Sequence, residues 1–216
     1  MKRVGVLGGT FDPPHFGHLR AAEVVRESFG LDKVLFVPSK SPPHKVSPEV
    51  SEPRHRLRMT ELAAANERFF AVSRVELDRE SPSYTIDTLA ELSGQMPDAG
   101  LFFIAGTDAF LEIPTWHRFR DLVSRYSFVV HERPGFPRED VRDLVSRELA
   151  TAVVEESAHE SEPGSHRPRI FLLPRHDDML DVSSTAIRST AREGRSVRFL
   201  VPDAVEAYIR EFRLYE

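Results

Sequence analysis

Six short stretches of this chain are apolar at nearly every position: Val4–Leu7, Val34–Val37, Phe70–Val75, Leu101–Ala105, Ser127–Val130 and Ile170–Leu173. A strand with one face in water alternates apolar and polar residues; a strand covered on both faces does not. Helical patterns lie between the stretches, at Gly17–Phe29, Pro53–Asn66, Tyr84–Leu92, Glu139–Leu149, Thr185–Glu193 and Asp203–Phe212. In the first of them Leu19, Ala22, Val25 and Phe29 recur every three or four residues, which is one helical face. Doubly covered strands alternating with helices predict an α/β fold: a parallel sheet with helices on both faces. At 216 residues the chain reads as a single domain over 1–216.

Glu155–Arg169 breaks the pattern. It is polar, holds Pro163 and Gly164, lacks periodicity, and reads as a mobile surface loop carrying His159 and His166. No internal repeat or linker is visible. The sequence contains no cysteine, which excludes disulfides, thiolate metal sites and a cysteine nucleophile and fits a reducing compartment. A net charge of −5 argues against a general nucleic-acid binder but leaves room for a local cationic pocket. The apolar run after Lys2-Arg3 meets Gly8-Gly9 too soon for a secretion signal, and no stretch approaches the ~20 apolar residues of a membrane helix. The expectation is a cytoplasmic protein with no membrane or nucleic-acid partner, acting on something small. The sequence does not set its oligomeric state.

The first strand runs into Gly8-Gly9-Thr10-Phe11-Asp12-Pro13-Pro14-His15-Phe16-Gly17-His18, and a helix follows. Two glycines after a strand let backbone approach a phosphate, and a helix start presents unpaired N–H groups to an anion. His15 and His18, three apart at that start, share a face. The string is neither the G-x-G-x-x-G of dinucleotide sites nor a Walker loop, since no Lys follows the glycines. A second anion-friendly helix start lies at Asp181-Val182-Ser183-Ser184-Thr185-Ala186-Ile187-Arg188, where hydroxyls cap the helix and Arg188 reaches back one turn.

The string Gly8–Leu19 resembles the signature of the nucleotidyltransferase superfamily with the T/HxGH motif, here His15-Phe16-Gly17-His18, and Ser183–Arg188 resembles its S-S-T-x-I-R motif. Further strings narrow the likeness: Pro42-Pro43-His44-Lys45, Ser83-Tyr84-Thr85-Ile86-Asp87, Ile104-Ala105-Gly106-Thr107-Asp108 with Trp116 beyond it, and the tail Phe199-Leu200-Val201-Pro202 ending in Leu214-Tyr215-Glu216. Together they resemble the bacterial nicotinate-nucleotide adenylyltransferases from Val4 to Tyr215, with Glu155–Arg169 unaligned. Phosphopantetheine adenylyltransferases fit less well, because of the Ser-Tyr-Thr string and Trp116. A non-catalytic nucleotide sensor would not need both histidines and the S-S-T-x-I-R string.

The resemblance implies a Rossmann-like sheet and adenylyl transfer from ATP to nicotinate mononucleotide without a covalent intermediate. Mg²⁺ would arrive with ATP, and no protein metal site is implied. It implies His15, His18 and Arg188 as catalytic residues on the triphosphate. Gly8, Gly9, Thr10, Gly106, Asp108, Ser184 and Thr185 would bind ATP, Gly106 and Asp108 at a ribose. His44, Lys45, Tyr84, Thr85, Trp116 and Arg133 would bind the mononucleotide: Lys45 its phosphate, Trp116 its flat cationic ring, and the Tyr84 and Thr85 N–H groups its carboxylate. Thr107 stands where the family usually has Ala, a tolerable change if the side chain faces away from ligand. Met59 and Arg56 read as core and surface of one helix. His55, His117, His131 and His176 read as surface or capping residues.

Overall fold

The structure is a computed structural model that describes residues 1–40, 50–80, 82–149, 153–155 and 168–216, with 153–155 as backbone alone. Its strands are β1 (Lys2–Gly9), β2 (Lys33–Pro38), β3 (Phe70–Val72), β4 (Ala99–Gly106), β5 (Ser127–His131), β6 (Val153–Glu155) and β7 (Arg169–Leu173). Its helices are α1 (Phe16–Phe29), α2 (Pro53–Ala64), α3 (Val75–Asp78), α4 (Thr85–Gln95), α5 (Thr107–Leu111), α6 (Phe119–Arg125), α7 (Arg138–Glu148), α8 (Ser184–Arg192) and α9 (Asp203–Glu211), with a 3₁₀ turn at Ile113–Thr115. The strands form one sheet in the order β3-β2-β1-β4-β5-β7-β6.

Each of the six apolar stretches forms a strand, and each of the six helical patterns a helix. Most ends shift by one to three residues, and two differences change an element. The strand expected over Phe70–Val75 stops at Val72, and Val75 opens α3 instead. Glu155 and Arg169, read as the ends of a loop, belong to β6 and β7, which pair in parallel with Val153 opposite Arg169. Residues 156–167 between them, including His159 and His166, lie outside the described residues. Val153–Glu155 is a strand of three residues, too short to stand out where the sequence turns polar.

The chain divides into two compact units. The first is Met1–Gly8, Ala22–Val34 and Tyr84–Asp177. Here β1, β4, β5 and β7 run parallel, with Leu7 opposite Ile104, Gly106 opposite His131 and His131 opposite Leu173. Val6, Ile104, Phe128, Val129, Val130 and Leu172 are buried. Removing each such side chain from water is worth roughly 1.5–3 kcal/mol, and cover on both faces is what the unbroken apolar runs encode. Gly5 marks a close approach: a Cβ there would meet Ile104 Cδ1 and Leu31 Cδ1, each at 2.9 Å.

The second unit is Gly9–Ala21, Leu35–Ser83 and Asp178–Glu216. Its core joins Met59 and Ala63 of α2 with Ile187 of α8, Val197, Val201, and Val205 and Ile209 of α9. Pro53 starts α2 at a position where a missing N–H costs nothing. Phe11 of the first loop packs its ring on Phe36 of β2, and Phe36 on Phe70 of β3.

Candidate active site

In the second unit the first loop leaves β1 and enters α1 at Phe16. The Phe16 N–H donates to the Leu200 carbonyl at 3.0 Å, and the His15 carbonyl accepts from the N–H groups of His18 and Leu19. His15 is buried at 2% exposure, and its ring stacks on that of His18 with centroids 3.7 Å apart. The His15 backbone N–H donates to His18 Nδ1 at 3.3 Å. With Nδ1 accepting, the ring proton of neutral His18 sits on Nε2, which makes Nε2 a donor. Phe11 sets its ring edge-on to His18 at 5.1 Å. Gly17 follows from this packing, because a Cβ would lie 3.0 Å from the His15 ring and 3.2 Å from the Leu180 carbonyl.

The structure brings α8 to this loop. Ser183 is the residue that caps α8, its Oγ accepting from the Ala186 N–H at 3.2 Å. The Ser184 hydroxyl is thereby left for another task and donates to the Pro13 carbonyl at 2.9 Å. Arg188 Nη1 donates to the Asp12 carbonyl at 2.9 Å, and Nη2 lies 3.5 Å from the Thr185 hydroxyl. Arg188 Nε is buried and meets no acceptor among the described residues. The two strings that the sequence suggested as anion sites are thus directly hydrogen-bonded, and a helix start, hydroxyls, a guanidinium and two imidazoles come together.

Arg56 corrects the sequence reading. It is 1% exposed, not a surface residue, and its guanidinium donates to the carbonyls of Ser51, Thr10 and Lys40 at 3.0, 2.9 and 3.1 Å. Burial pulls its pKa below the ordinary arginine value, with Asp12 opposing the shift. The sequence held the clue: Arg56, Met59, Thr60 and Ala63 share one helical face, and that face is the buried one. Asp12 was missed as well. It is 1% exposed; its carboxylate accepts from the Ser51 N–H at 3.0 Å and the Tyr215 hydroxyl at 2.7 Å.

In the first unit a second group forms at the carboxyl ends of β4 and β5. Gly106 precedes α5, and a Cβ there would run into Asp108 Oδ1 and meet Arg133 Cγ at 2.8 Å. Arg133 and Asp108 face one another with Nε and Oδ2 3.9 Å apart, both partly exposed. Thr107 is 0% exposed. It donates to the Phe136 carbonyl at 2.7 Å and accepts from the Arg133 N–H at 3.0 Å, so its hydroxyl ties the turn that carries Arg133. That turn, Arg133-Pro134-Gly135-Phe136, closes with Phe136 N–H to the Arg133 carbonyl at 3.1 Å and needs glycine at Gly135, whose φ is 79°. His131, read as a surface or capping residue, is buried at 5% exposure at the end of β5. Burial, and then Arg133, push its pKa down to about 4.

Trp116 is half-buried, its ring set at 87° to that of Phe103. Tyr84 stacks on His117 at 4.2 Å, which gives that histidine a partner the sequence did not suggest. Tyr84 precedes α4, its carbonyl accepting from Asp87 and Thr88. The Thr85 N–H, at the first helical residue, precedes the intrahelical ladder. His55 bonds the Tyr208 hydroxyl at 2.9 Å, and His176 is exposed. Gly8 and Gly9 end β1 and Thr10 opens the first loop. His44 and Lys45 lie outside the described residues.

The chain matches the Cytidylyltransferase-like family model over residues 6–190. A protein of Desulfitobacterium hafniense described as a probable nicotinate-nucleotide adenylyltransferase is 41% identical over 214 residues, 99% of this chain and 96% of that one. One from Pseudomonas fluorescens with the same description is 44% identical, over 99% of this chain and 97% of its own. The chain belongs to the nicotinate-nucleotide adenylyltransferase family. The fold agrees with solved structures: nicotinic acid mononucleotide adenylyltransferase of Plasmodium falciparum complexed with NaAD superposes with a TM-score of 0.76 at 17% identity, over 100% of this chain and 98% of that one. The same enzyme complexed with APC gives 0.74. No helix among the described residues is long and apolar enough to cross a membrane.

Proposed function

We propose that this protein transfers the adenylyl group of ATP to nicotinate mononucleotide, giving nicotinate adenine dinucleotide and pyrophosphate. The observation that carries the reading is the bonding of Asp12 and Pro13, in the loop that leads into His15 and His18, to α8 through Arg188 and Ser184. The close relatives supply the acceptor: their descriptions name nicotinate nucleotide. The mononucleotide's 5′-phosphate oxygen attacks the α-phosphorus of ATP in line, and pyrophosphate leaves. A phosphate monoester dianion is already a nucleophile, so the protein's work is alignment and stabilisation of developing charge.

In this reading His18 donates from Nε2 to the α-phosphate, with His15 holding its ring by stacking. The α8 start and Arg188 take the leaving phosphates, with Ser184 and Thr185 beside them. Gly8, Gly9 and Thr10 line the phosphate path. Gly106 leaves room for a ribose whose hydroxyls Asp108 accepts, and Arg133 holds Asp108. Lys45 and His44 neutralise the mononucleotide phosphate. Trp116 stacks on the pyridine ring, and the Tyr84 and Thr85 N–H groups receive its carboxylate. A carboxylate satisfies such donors fully; a carboxamide turns an NH₂ toward them, a mismatch worth roughly 1–3 kcal/mol.

Among the described residues no group of three or more His, Asp or Glu side chains comes together as a metal site. We further propose that Mg²⁺ enters as part of the ATP substrate, on phosphate oxygens and water, where it neutralises charge. We also propose that the chain acts as one nucleotidyltransferase domain, since the family match runs through segments of both units, and that it works in the cytoplasm, as a chain without cysteine suits a reducing compartment.

The test is pyrophosphate release from ATP and Mg²⁺ with three acceptors. Nicotinate mononucleotide should support turnover, nicotinamide mononucleotide should be about tenfold to a hundredfold less efficient by kcat/KM, and phosphopantetheine should not react. Turnover with phosphopantetheine, or a preference for the nicotinamide form, would overturn the acceptor.

A further inference from the structure

The tail Leu214-Tyr215-Glu216 has no part in the chemistry above, yet Tyr215 reaches the first loop. Its hydroxyl donates to Asp12 Oδ1 at 2.7 Å, a residue 203 positions away, while Asp12 Oδ2 accepts from the Ser51 N–H. Burial and the neighbouring Asp12 carboxylate both push the Tyr215 pKa up, so the phenol stays a donor across the working range of pH. The loop's own carbonyls are taken by side chains: Thr10 by Arg56, Asp12 by Arg188, Pro13 by Ser184. Asp12 is thus the residue through which the loop is held by both its backbone and its side chain.

An acidic side chain is an odd choice in a loop that receives a triphosphate. Here its charge is offset by buried Arg56 and its oxygens are occupied, which turns the carboxylate from a repulsive group into an anchor. The route to the tail is short and specific. Leu214 N–H donates to the Ile209 carbonyl at 3.0 Å, just past the end of α9, and Leu214 and Tyr215 pack on the Met59–Ile209 core. The phenol is thereby presented to Asp12 from the turn that follows α9.

We propose that Tyr215 is a positioning residue for ATP: its hydroxyl, through Asp12, holds the Gly9–His15 loop in the conformation that receives the triphosphate. The proposal rests on the adenylyl-transfer reading and assigns the chain's last turn to one substrate of it. A loop that is only partly in the competent conformation binds its ligand more weakly by that fraction. The expected signature is therefore in ATP affinity and not in the turnover of enzyme already saturated with both substrates.

Tyr215→Phe removes the hydroxyl and keeps the ring. Its KM for ATP should rise about tenfold, the loss of one hydrogen bond to a charged group, with kcat and the KM for nicotinate mononucleotide within about twofold of wild type. ATP binding by calorimetry, without acceptor, should weaken by the same factor. In the Asp12→Asn background, Tyr215→Phe should change the ATP KM by less than in wild type, because the charged partner is gone. A merely structural role would lower kcat with an unchanged KM as active enzyme is lost, and that result overturns the proposal. So does an unchanged ATP affinity in Tyr215→Phe, or an undiminished effect in Asp12→Asn. Wild-type protein that binds ATP but forms no nicotinate adenine dinucleotide would refute the reaction instead, and the calorimetry would still decide the role of Tyr215.

Discussion

The Gly9–His15 loop and the Arg133–Phe136 turn are both short and marked by proline, yet they are held in opposite ways. The turn is fixed mainly from within, by one backbone hydrogen bond and a positive φ at Gly135, with the hydroxyl of Thr107 as a tie from outside. The loop is fixed from far along the chain, by Ser51, Arg56, Ser184, Arg188 and Tyr215, which bond the backbone or side chains of Thr10, Asp12 and Pro13. Local fixing makes a feature sensitive to backbone substitutions at the spot. Remote fixing makes it sensitive to side chains that touch no ligand. It also suits a loop that must present donors to developing charge without reorganising.

His18→Ala strikes the loop hardest, since it removes the donor while the remote ties remain. We expect kcat to fall by ~10²–10³ with the melting temperature lowered by no more than a few degrees, from loss of the His15 N–H acceptor and the ring contacts, measured by pyrophosphate release and thermal unfolding. A near-normal kcat would remove His18 from the chemistry. Arg188→Ala takes away an anchor and a cation together, so kcat/KM for ATP should drop by about tenfold to a hundredfold. The KM for nicotinate mononucleotide should move far less; an effect confined to the mononucleotide would reverse the assignment of the two substrates.

Gly106→Ala tests the local side. The new Cβ would displace Asp108 Oδ1 and Arg133 Cγ, and crowding of this kind destabilises by about 1–3 kcal/mol. The chemical denaturation midpoint should fall, and the KM values should change before kcat does. A variant as stable and active as wild type would show that the Asp108–Arg133 pair yields freely.

His131 sets the smallest effect. Its pKa is about 4 in the fold against about 6.5 unfolded, so between these values the unfolded chain binds the extra proton. His131 therefore stabilises the fold above about pH 6.5, and that contribution is lost as pH falls towards 4. Between pH 7 and pH 5 the loss is on the order of 1–2 kcal/mol. In His131→Asn the decline in melting temperature over this interval should be shallower, by a few degrees. An identical slope in both proteins would mean that other groups govern acid stability.

Much of this was legible in the sequence, for identifiable reasons. The unbroken apolar runs gave the buried strands, because two-sided cover leaves no polar alternation to misread. The His15–His18 string and Ser183–Arg188 pointed to helix starts, which are local features. What escaped were partners fixed only by tertiary packing. Nothing near Tyr215 indicates that it reaches Asp12, and nothing near Thr107 indicates that its hydroxyl closes a turn twenty-six residues on. Arg56 was misread because its charge outweighed its position on an apolar helical face. His131 was misread because a strand-end histidine resembles a surface residue until the neighbouring chains cover it.

Direct adenylyl transfer, aligned by the first loop and α8, is traced by following ATP labelled at the α-phosphorus. Incubated with the protein and Mg²⁺ alone, the label should stay in ATP and leave the protein unlabelled. On addition of nicotinate mononucleotide it should pass into nicotinate adenine dinucleotide, with one pyrophosphate released per dinucleotide formed. Label bound covalently to the protein, or released as AMP with no dinucleotide formed, would contradict it.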